Sequence, residues 1–139
     1  MREVAPDDDF RTDIDILPAE RLVIVAVSGV MNLERLASLG PLVRKRQSMT
    51  PDWGVIYDFS NASAEQIYRS DLEALAAELS KPDPERMYRA AYVVPSNLSY
   101  GLARMYAVLA DYASGDGPRA RLVTRTRAEA LDWIRSKRM

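Results

Sequence analysis

A nearly unbroken apolar run, LVIVAVSG at residues 22 to 29, limits what this chain can fold into. The run is rich in β-branched Val and Ile, which favour strands. A strand that lacks polar alternation must be covered on both faces, as strands are in a parallel sheet. The sequence therefore predicts an α/β fold in which helices cover the sheet.

Four further strands are predicted, and helical spacing of apolar residues predicts a helix after each of the later ones. These strands cover residues 12–17, 55–59, 90–94 and 121–124. The first alternates polar and apolar residues and reaches the run at 22–29 through Pro18-Ala19-Glu20, which predicts a hairpin. The predicted helix starts are Asn32 as an N-cap, capping boxes at Ser63/Gln66, Ser70/Glu73 and Thr126/Glu129, and a start near Ser99. Gly40-Pro41 is predicted to interrupt the helix that begins at Asn32.

Strands that alternate with helices predict one domain over residues 1–139, built on a mixed, mostly parallel sheet of about five strands with right-handed crossovers. Residues 1–11 are predicted to be a flexible acidic N-terminus. Parallel sheets place their sites at the carboxyl ends of the strands. We therefore expect a site in the loops 60–70 and 95–101, which share a rim if the third and fourth strands are neighbours.

Composition removes several kinds of chemistry. With 47% hydrophobic and 28% charged residues the chain is globular, and its net charge of −1 argues against nucleic acid as a partner. It has no cysteine and no histidine, so thiolate nucleophiles, the common zinc sites and the usual base of a serine hydrolase are excluded. The sequence shows no secretory signal and no membrane span, and it predicts a cytoplasmic protein without cofactors.

Three short stretches carry a resemblance to a known family: DFS at the end of the third strand, YGLARMYAVL at 100–109 and TRAEALDWI at 126–134. With the order of strands and helices, they resemble the STAS superfamily of the anti-sigma factor antagonists, and small bacterial SpoIIAA-like proteins related in fold to the lipid-binding CRAL-TRIO domain. The resemblance implies a SpoIIAA-like fold over about residues 12–137. It also implies a serine after the third strand that a partner kinase phosphorylates, for which Ser70 is the closest match and Ser63 the second. Where antagonists carry Asp-Ser-Ser-Gly, this chain has Arg69-Ser70-Asp71-Leu72.

The stretch after the third strand holds the candidates for partner contact or a phosphorylation switch. These candidates are Asp58, Ser60, Ser63 and Ser70. Asp58 at a strand end is suited to a cation, but an aspartate there more often accepts amide hydrogen bonds from the following turn. Ser70 also has a structural interpretation as an N-cap, and a phosphate at a helix N-terminus is compatible with the helix dipole.

The stretch after the fourth strand holds the candidates for binding an anion or another small ligand. These candidates are Ser96, Asn97, Ser99, Tyr100, Gly101 and Arg104. Hydroxyls, an amide and free helix N–H groups suit a phosphate or carboxylate, although helix capping also explains the serines and the asparagine. Gly101 early in a helix predicts a close approach by a backbone or a ligand.

Two functions remain open at this point. The first is a non-catalytic regulatory domain that contacts a protein partner through the loop and helix after the third strand. The second is a carrier with a pocket for an apolar or anionic small molecule. An enzyme, which would depend on Asp58, Ser60, Tyr68 or Tyr100, is least favoured because these side chains have no evident activating partner. Tyr100, Met105 and Tyr106 lie on neighbouring faces of one predicted helix, for which core packing is the first interpretation; if part of this stripe is exposed, self-association as a homodimer is the second.

Overall fold

The computed structural model of the protein describes residues 10–44, 53–78, 89–114 and 120–136. Its centre is a five-stranded sheet with the strand order β1-β2-β3-β4-β5. The strands are β1 (Phe10–Leu17), β2 (Leu22–Val30), β3 (Gly54–Ser63), β4 (Arg89–Val93) and β5 (Ala120–Thr124). β1 pairs with β2 in an antiparallel hairpin, and β2, β3, β4 and β5 are mutually parallel. The predicted mixed, mostly parallel sheet is confirmed, as is the neighbouring position of the third and fourth strands.

Five α-helices connect or follow the parallel strands. They are α1 (Leu33–Ala37), α2 (Leu39–Arg44), α3 (Arg69–Ala77), α4 (Asn97–Ser114) and α5 (Arg127–Ser136). The predicted N-cap at Asn32 is confirmed, since its Oδ1 accepts from the Arg35 N–H at 2.9 Å. The predicted interruption of the helix is confirmed but lies earlier than Gly40-Pro41: α1 ends at Ala37 and α2 begins at Leu39, so Gly40 and Pro41 lie in the first turn of α2, where a proline needs no N–H. No described helix is both long enough and apolar enough to cross a bilayer.

The two faces of the sheet carry separate cores because side chains of a strand alternate between faces. On one face, Val23, Val25 and Val27 of β2 belong to a core that residues of α1, α2, α3 and α4 pack against. On the other face, Leu22 and Ile24 pack with residues of α5. Among the described helices, α5 alone contributes buried residues to this second core, which we call the α5 face. The core residues of the α5 face are Leu22, Ile24, Ile56, Ala91, Val93, Ala130 and Ile134.

β3 is longer than the sequence predicted. It continues beyond its last pair with β4, Asp58 with Val93, and pairs with β2 as far as Ser63. A bulge interrupts this pairing, because Phe59 and Ser60 together stand opposite Val27. The predicted loop 60–70 is therefore wrong at its start, and the connection to α3 begins after Ser63. The predicted flexible N-terminus is also wrong at its end: residues 10 and 11 belong to β1, and residues 1–9 lie outside the described part of the chain.

Candidate functional site

Buried polar side chains gather at one edge of the sheet. Counted as whole residues, the buried polar or charged residues of the described chain are Asp58, Ser99 and Thr124. Asp58 and Thr124 both pair with Val93, Asp58 where β3 makes its last pair with β4 and Thr124 at the end of β5, and Ser99 lies in the first turn of α4, which follows β4. Because burying polar groups costs free energy, their position marks this edge as the candidate site. We call it the carboxyl rim: the last β3–β4 pair, the ends of β4 and β5, and the residues that directly follow them.

Asp58 is the most connected side chain of the carboxyl rim. Its Oδ1 accepts from the Ser60 N–H at 2.9 Å and from the Ser60 hydroxyl at 2.5 Å. Its Oδ2 accepts from Nε of Arg127, the first residue of α5, at 2.8 Å. The amide contact is the one expected of an aspartate at a strand end, and the bulge supplies the turn that makes it. Asp58 therefore joins β3, at its last pair with β4, to the start of α5.

These contacts decide the charge of Asp58. Burial by itself raises the pKa of the carboxyl, but hydrogen bonds from the side chain and amide of Ser60 and the nearby Arg127 guanidinium lower it. The net pKa lies below the ordinary value of 3.8. A carboxylate with a lowered folded-state pKa stabilises the fold at pH values above its unfolded pKa. That contribution is lost as the pH falls through the folded-state value.

Asp58→Asn should therefore be destabilising near neutral pH and progressively less so in acid. We expect the difference in free energy of unfolding between wild type and Asp58→Asn to shrink from about pH 5 to about pH 3 in urea titrations. As the pH falls over the same range, the Arg127→Met variant should lose less of its free energy of unfolding than the wild type does, because Asp58 then lacks one of the groups that lower its pKa. A wild-type advantage that stayed constant over this range would contradict a lowered pKa at Asp58.

The loop after β4 is held together by two serines. The Ser96 and Ser99 hydroxyls lie 2.8 Å apart, and each accepts from the other residue's N–H, at 3.1 and 3.2 Å. Ser96 thereby caps α4, which begins two residues before the predicted start near Ser99. The hydroxyls that suggested an anion site from sequence are thus engaged with each other.

Arg125 connects the ends of β4 and β5. Its guanidinium donates to Oδ1 of Asn97 at 2.6 Å and to the Pro95 carbonyl at 3.3 Å, and it lies 4.7 Å from the centre of the Tyr100 ring. All three partners are neutral. Arg125 and Arg127 were missed in the sequence analysis, although a signal existed: two cations flank the N-cap Thr126, where a helix dipole disfavours them. The N-cap predicted at Thr126 is confirmed, since its Oγ1 accepts from the Glu129 N–H at 3.2 Å; in the described chain its hydroxyl, and not its backbone N–H, donates to the Glu129 carboxylate, at 2.9 Å.

Gly101 and Arg104 do not join the carboxyl rim. Apart from the chain neighbours and the backbone of α4 itself, no atom of the described residues lies within 4 Å of the position that a Cβ would take at Gly101, so the close approach by a backbone that was predicted is not found there. Arg104 is exposed, and within the described residues it forms no hydrogen bond or ion pair. The structure therefore divides the predicted anion residues, with Asn97, Ser99 and Tyr100 at the rim and Gly101 and Arg104 on the outer surface of α4.

The two serines proposed for a switch also lie apart from Asp58. Ser63 ends β3, and its hydroxyl accepts from the Glu65 N–H at 3.3 Å, so the predicted capping box with Gln66 is absent from this described segment. The predicted cap at Ser70 is wrong, because α3 begins one residue earlier and the Asp71 carboxylate accepts from the Tyr68 N–H at 2.9 Å. Within the described residues, the exposed Ser70 hydroxyl has no hydrogen-bond partner. α3 packs on the sheet face opposite to α5, whereas Asp58 pairs with Arg127 of α5.

A buried charge lies beneath α4, and the sequence analysis did not identify it. The Arg121 side chain on β5 is 6% exposed and donates to Asp111 of α4, which is 39% exposed. The Arg121 guanidinium also lies near the Tyr92 phenol, whose pKa burial, the largest cause, raises above its ordinary value of 10 while the nearby Arg121 charge lowers it. Tyr92 stacks on Tyr57 at 5.9 Å and meets Tyr106 edge-on at 6.1 Å. Tyr100, Met105 and Tyr106 all pack partly buried against the core, in agreement with the core interpretation of this helix.

The geometry defines a class of protein: a small α/β domain with a sequentially ordered sheet and a polar carboxyl rim. Two solved structures share this architecture. One is an uncharacterised protein of the DUF3478 family with a SpoIIAA-like fold from Shewanella loihica (15% identity, TM-score 0.53, covering 90% of this chain and 93% of that one). The other is an anti-sigma factor antagonist from Mycobacterium paratuberculosis (21% identity, TM-score 0.53, covering 94% of this chain and 97% of that one). No family model and no curated protein matches the chain. The protein thus has the SpoIIAA-like fold that the sequence predicted.

Proposed function

We propose that this protein is a non-catalytic regulatory domain that presents the first turn of α3 to a protein partner. Support for the class comes from the fold, which an anti-sigma factor antagonist shares. Support for the surface comes from α3, where Tyr68 is 65% exposed and stands beside the exposed Ser70. Exposed tyrosines are frequent anchors of protein interfaces. The exposure of Tyr68 next to an uncommitted serine is the observation on which the proposal rests.

Charge at Ser70 would control such a contact. The hydroxyl is free of the capping bond that the sequence predicted, so it can be modified without loss of a helix cap. A phosphate there would lie in the first turn of α3, where the dipole tolerates negative charge. It would also adjoin Asp71 and Glu73, of which Glu73 faces Arg69 at 3.8 Å. Phosphorylation would therefore change the surface charge of this turn much more than the stability of the helix.

Ser70→Glu should weaken partner binding, whereas Ser70→Ala should not. The matched control is Ala128→Glu, because Ala128 is also exposed and is also the second residue of its helix, but belongs to α5 on the opposite face of the sheet. Tyr68→Ala should weaken binding by about thirtyfold, the effect of losing an anchoring aromatic residue. Affinity chromatography from the native host, followed by calorimetry with the purified partner, measures all four variants.

The proposal requires that a partner protein from the host binds to columns of the wild type, Ser70→Ala and Ala128→Glu. The same protein should not be retained by Ser70→Glu or Tyr68→Ala. All four variants should unfold at similar temperatures, so that reduced binding is not a result of unfolding. Equal binding by Ser70→Glu and Ser70→Ala would contradict a role for charge at Ser70. The alternative function as a small-ligand carrier has less support, because the polar groups of the loop after β4 contact one another and Arg125.

A further inference from the structure

α5 is attached to the sheet by few apolar contacts. Of its ten residues, Ala130 and Ile134 are buried and Leu131 and Trp133 are half-buried. Ile134 packs directly on β3, where its methyl groups lie 3.4 Å from the position that a Cβ would take at Gly54. A helix of this length is only marginally stable alone in water. Whether α5 stays helical therefore depends on its contacts with the sheet.

Arginine contacts hold α5 at both ends. At its start, Arg127 donates to Asp58 at 2.8 Å. At its end, Arg135 donates to Glu20 at 2.8 Å, and Arg89 of β4 donates to the Ile134 carbonyl at 3.3 Å. Arg127 and Arg135 have half-exposed side chains, so water competes for both ion pairs. Few buried apolar residues and water-accessible polar contacts are the features of elements that open locally before the whole protein unfolds.

The sheet has a second source of stability on its other face. There the strands pack with α1, α2 and α3 in a core of eleven buried residues, none of which comes from α5. Loss of α5 would uncover the side chains of the α5 face, including Ile56 and Ala91, and leave this larger core in place. Because α5 contributes buried residues to only one of the two cores, that core can be lost while the other stays packed.

We propose that α5 is a displaceable helix that leaves the sheet as a unit, and that the Asp58–Arg127 ion pair couples its release to the end of β3. The coupling passes through Ser60, which is exposed and whose hydroxyl donates to the same carboxylate that holds Arg127. A negative charge at Ser60 removes this donor, repels Asp58 and competes for Arg127. This inference concerns the α5 face and does not depend on a partner at α3.

Single cysteines can test the proposal, since the chain has none of its own. The reporters are Ala130→Cys on α5, Ala91→Cys on the strand beneath it, and Ala110→Cys on α4; all three alanines are 0% exposed. The reaction of each thiol with dithionitrobenzoate in the absence of denaturant measures how often that position opens. We expect Ala130→Cys and Ala91→Cys to react at equal rates, at least about tenfold faster than Ala110→Cys.

Second substitutions test the coupling. Arg127→Met and Ser60→Glu should each accelerate the reaction of Ala130→Cys and Ala91→Cys about tenfold further and leave Ala110→Cys unchanged. Ser70→Glu adds the same charge on the opposite face and should have no effect. Amide hydrogen exchange of the wild-type protein at Ala130 and Ile134, compared with Val55, repeats the first comparison without any substitution.

Two results would overturn the proposal. If all three thiols react at one slow rate and the amides of α5 exchange no faster than that of Val55, α5 opens only with global unfolding. If Ser60→Glu leaves the reaction of Ala130→Cys unchanged, the end of β3 does not control α5.

Discussion

Asp111→Ala should lower the free energy of unfolding by about 3 kcal/mol, which is at least twice the loss from Arg121→Met. The asymmetry follows from burial, since the Arg121 side chain is 6% exposed and that of Asp111 is 39% exposed. Removal of the acid leaves a buried guanidinium with the Tyr92 phenol as its remaining partner among the described residues. Removal of the cation leaves a carboxylate that water can reach, and the Met side chain fills much of the vacated volume.

Urea denaturation of both single variants and of the double variant measures this difference. The double variant should be close in stability to Arg121→Met, because neither charge is then buried without its partner. Tyr92→Phe serves as a second control, since it removes the phenol oxygen and keeps the Arg121–Asp111 contact. If Asp111→Ala and Arg121→Met cost the same, Arg121 is hydrated and the buried position assigned to it is wrong.

Ile56→Ala should destabilise the protein by about 3 to 4 kcal/mol, near the upper part of the range for buried aliphatic residues. Ile56 is 0% exposed and lies in the middle strand, paired on either side with Ile24 and Ala91. Tight packing by α5 and the backbone at Gly54 limits how far the structure can collapse into the vacated space. The melting temperature should fall by about 10 °C in a domain of this size.

Val108→Ala is the matched control for that substitution. Val108 is 65% exposed on α4, so its truncation should change stability by less than about 0.5 kcal/mol. Calorimetry of the two variants provides the comparison. Similar melting temperatures would mean that the face of the sheet under α5 is not a packed core.

The fold could be predicted because its signals are local. The continuous apolar run of β2, the alternation of β1 and the capping residues Asn32 and Thr126 all act within a few residues, and each element they predicted is present. The predicted ends of strands and helices were wrong where contacts with distant parts of the chain, and not local sequence, decide where an element stops. β3 continues past Phe59 because β2 still offers pairing partners there, and no residue after Phe59 carries a strong strand signal of its own.

The position of the candidate site could be predicted from the sequence, but only some of the residues that form it. Topology located Asp58 and the loop after β4 at the same edge, and the structure places them there. The arginines that connect these loops were missed because their partners lie far away in sequence: Arg127 contacts Asp58, and Arg125 contacts Asn97. The prediction of Ser70 as the N-cap failed for a local reason, since Asp71 accepts from the Tyr68 N–H and the helix starts with Tyr68 as its N-cap, two residues earlier.

The order of the strands also bears on how the chain assembles during synthesis. After the β1–β2 hairpin, each new strand attaches to the edge formed by the strand before it, and none has to insert between two others. A nascent chain can therefore extend the sheet in the order in which it leaves the ribosome. The surface that α5 covers stays bare until α5 itself has been synthesised, so the growing sheet exposes these apolar side chains to chaperones and to aggregation until then.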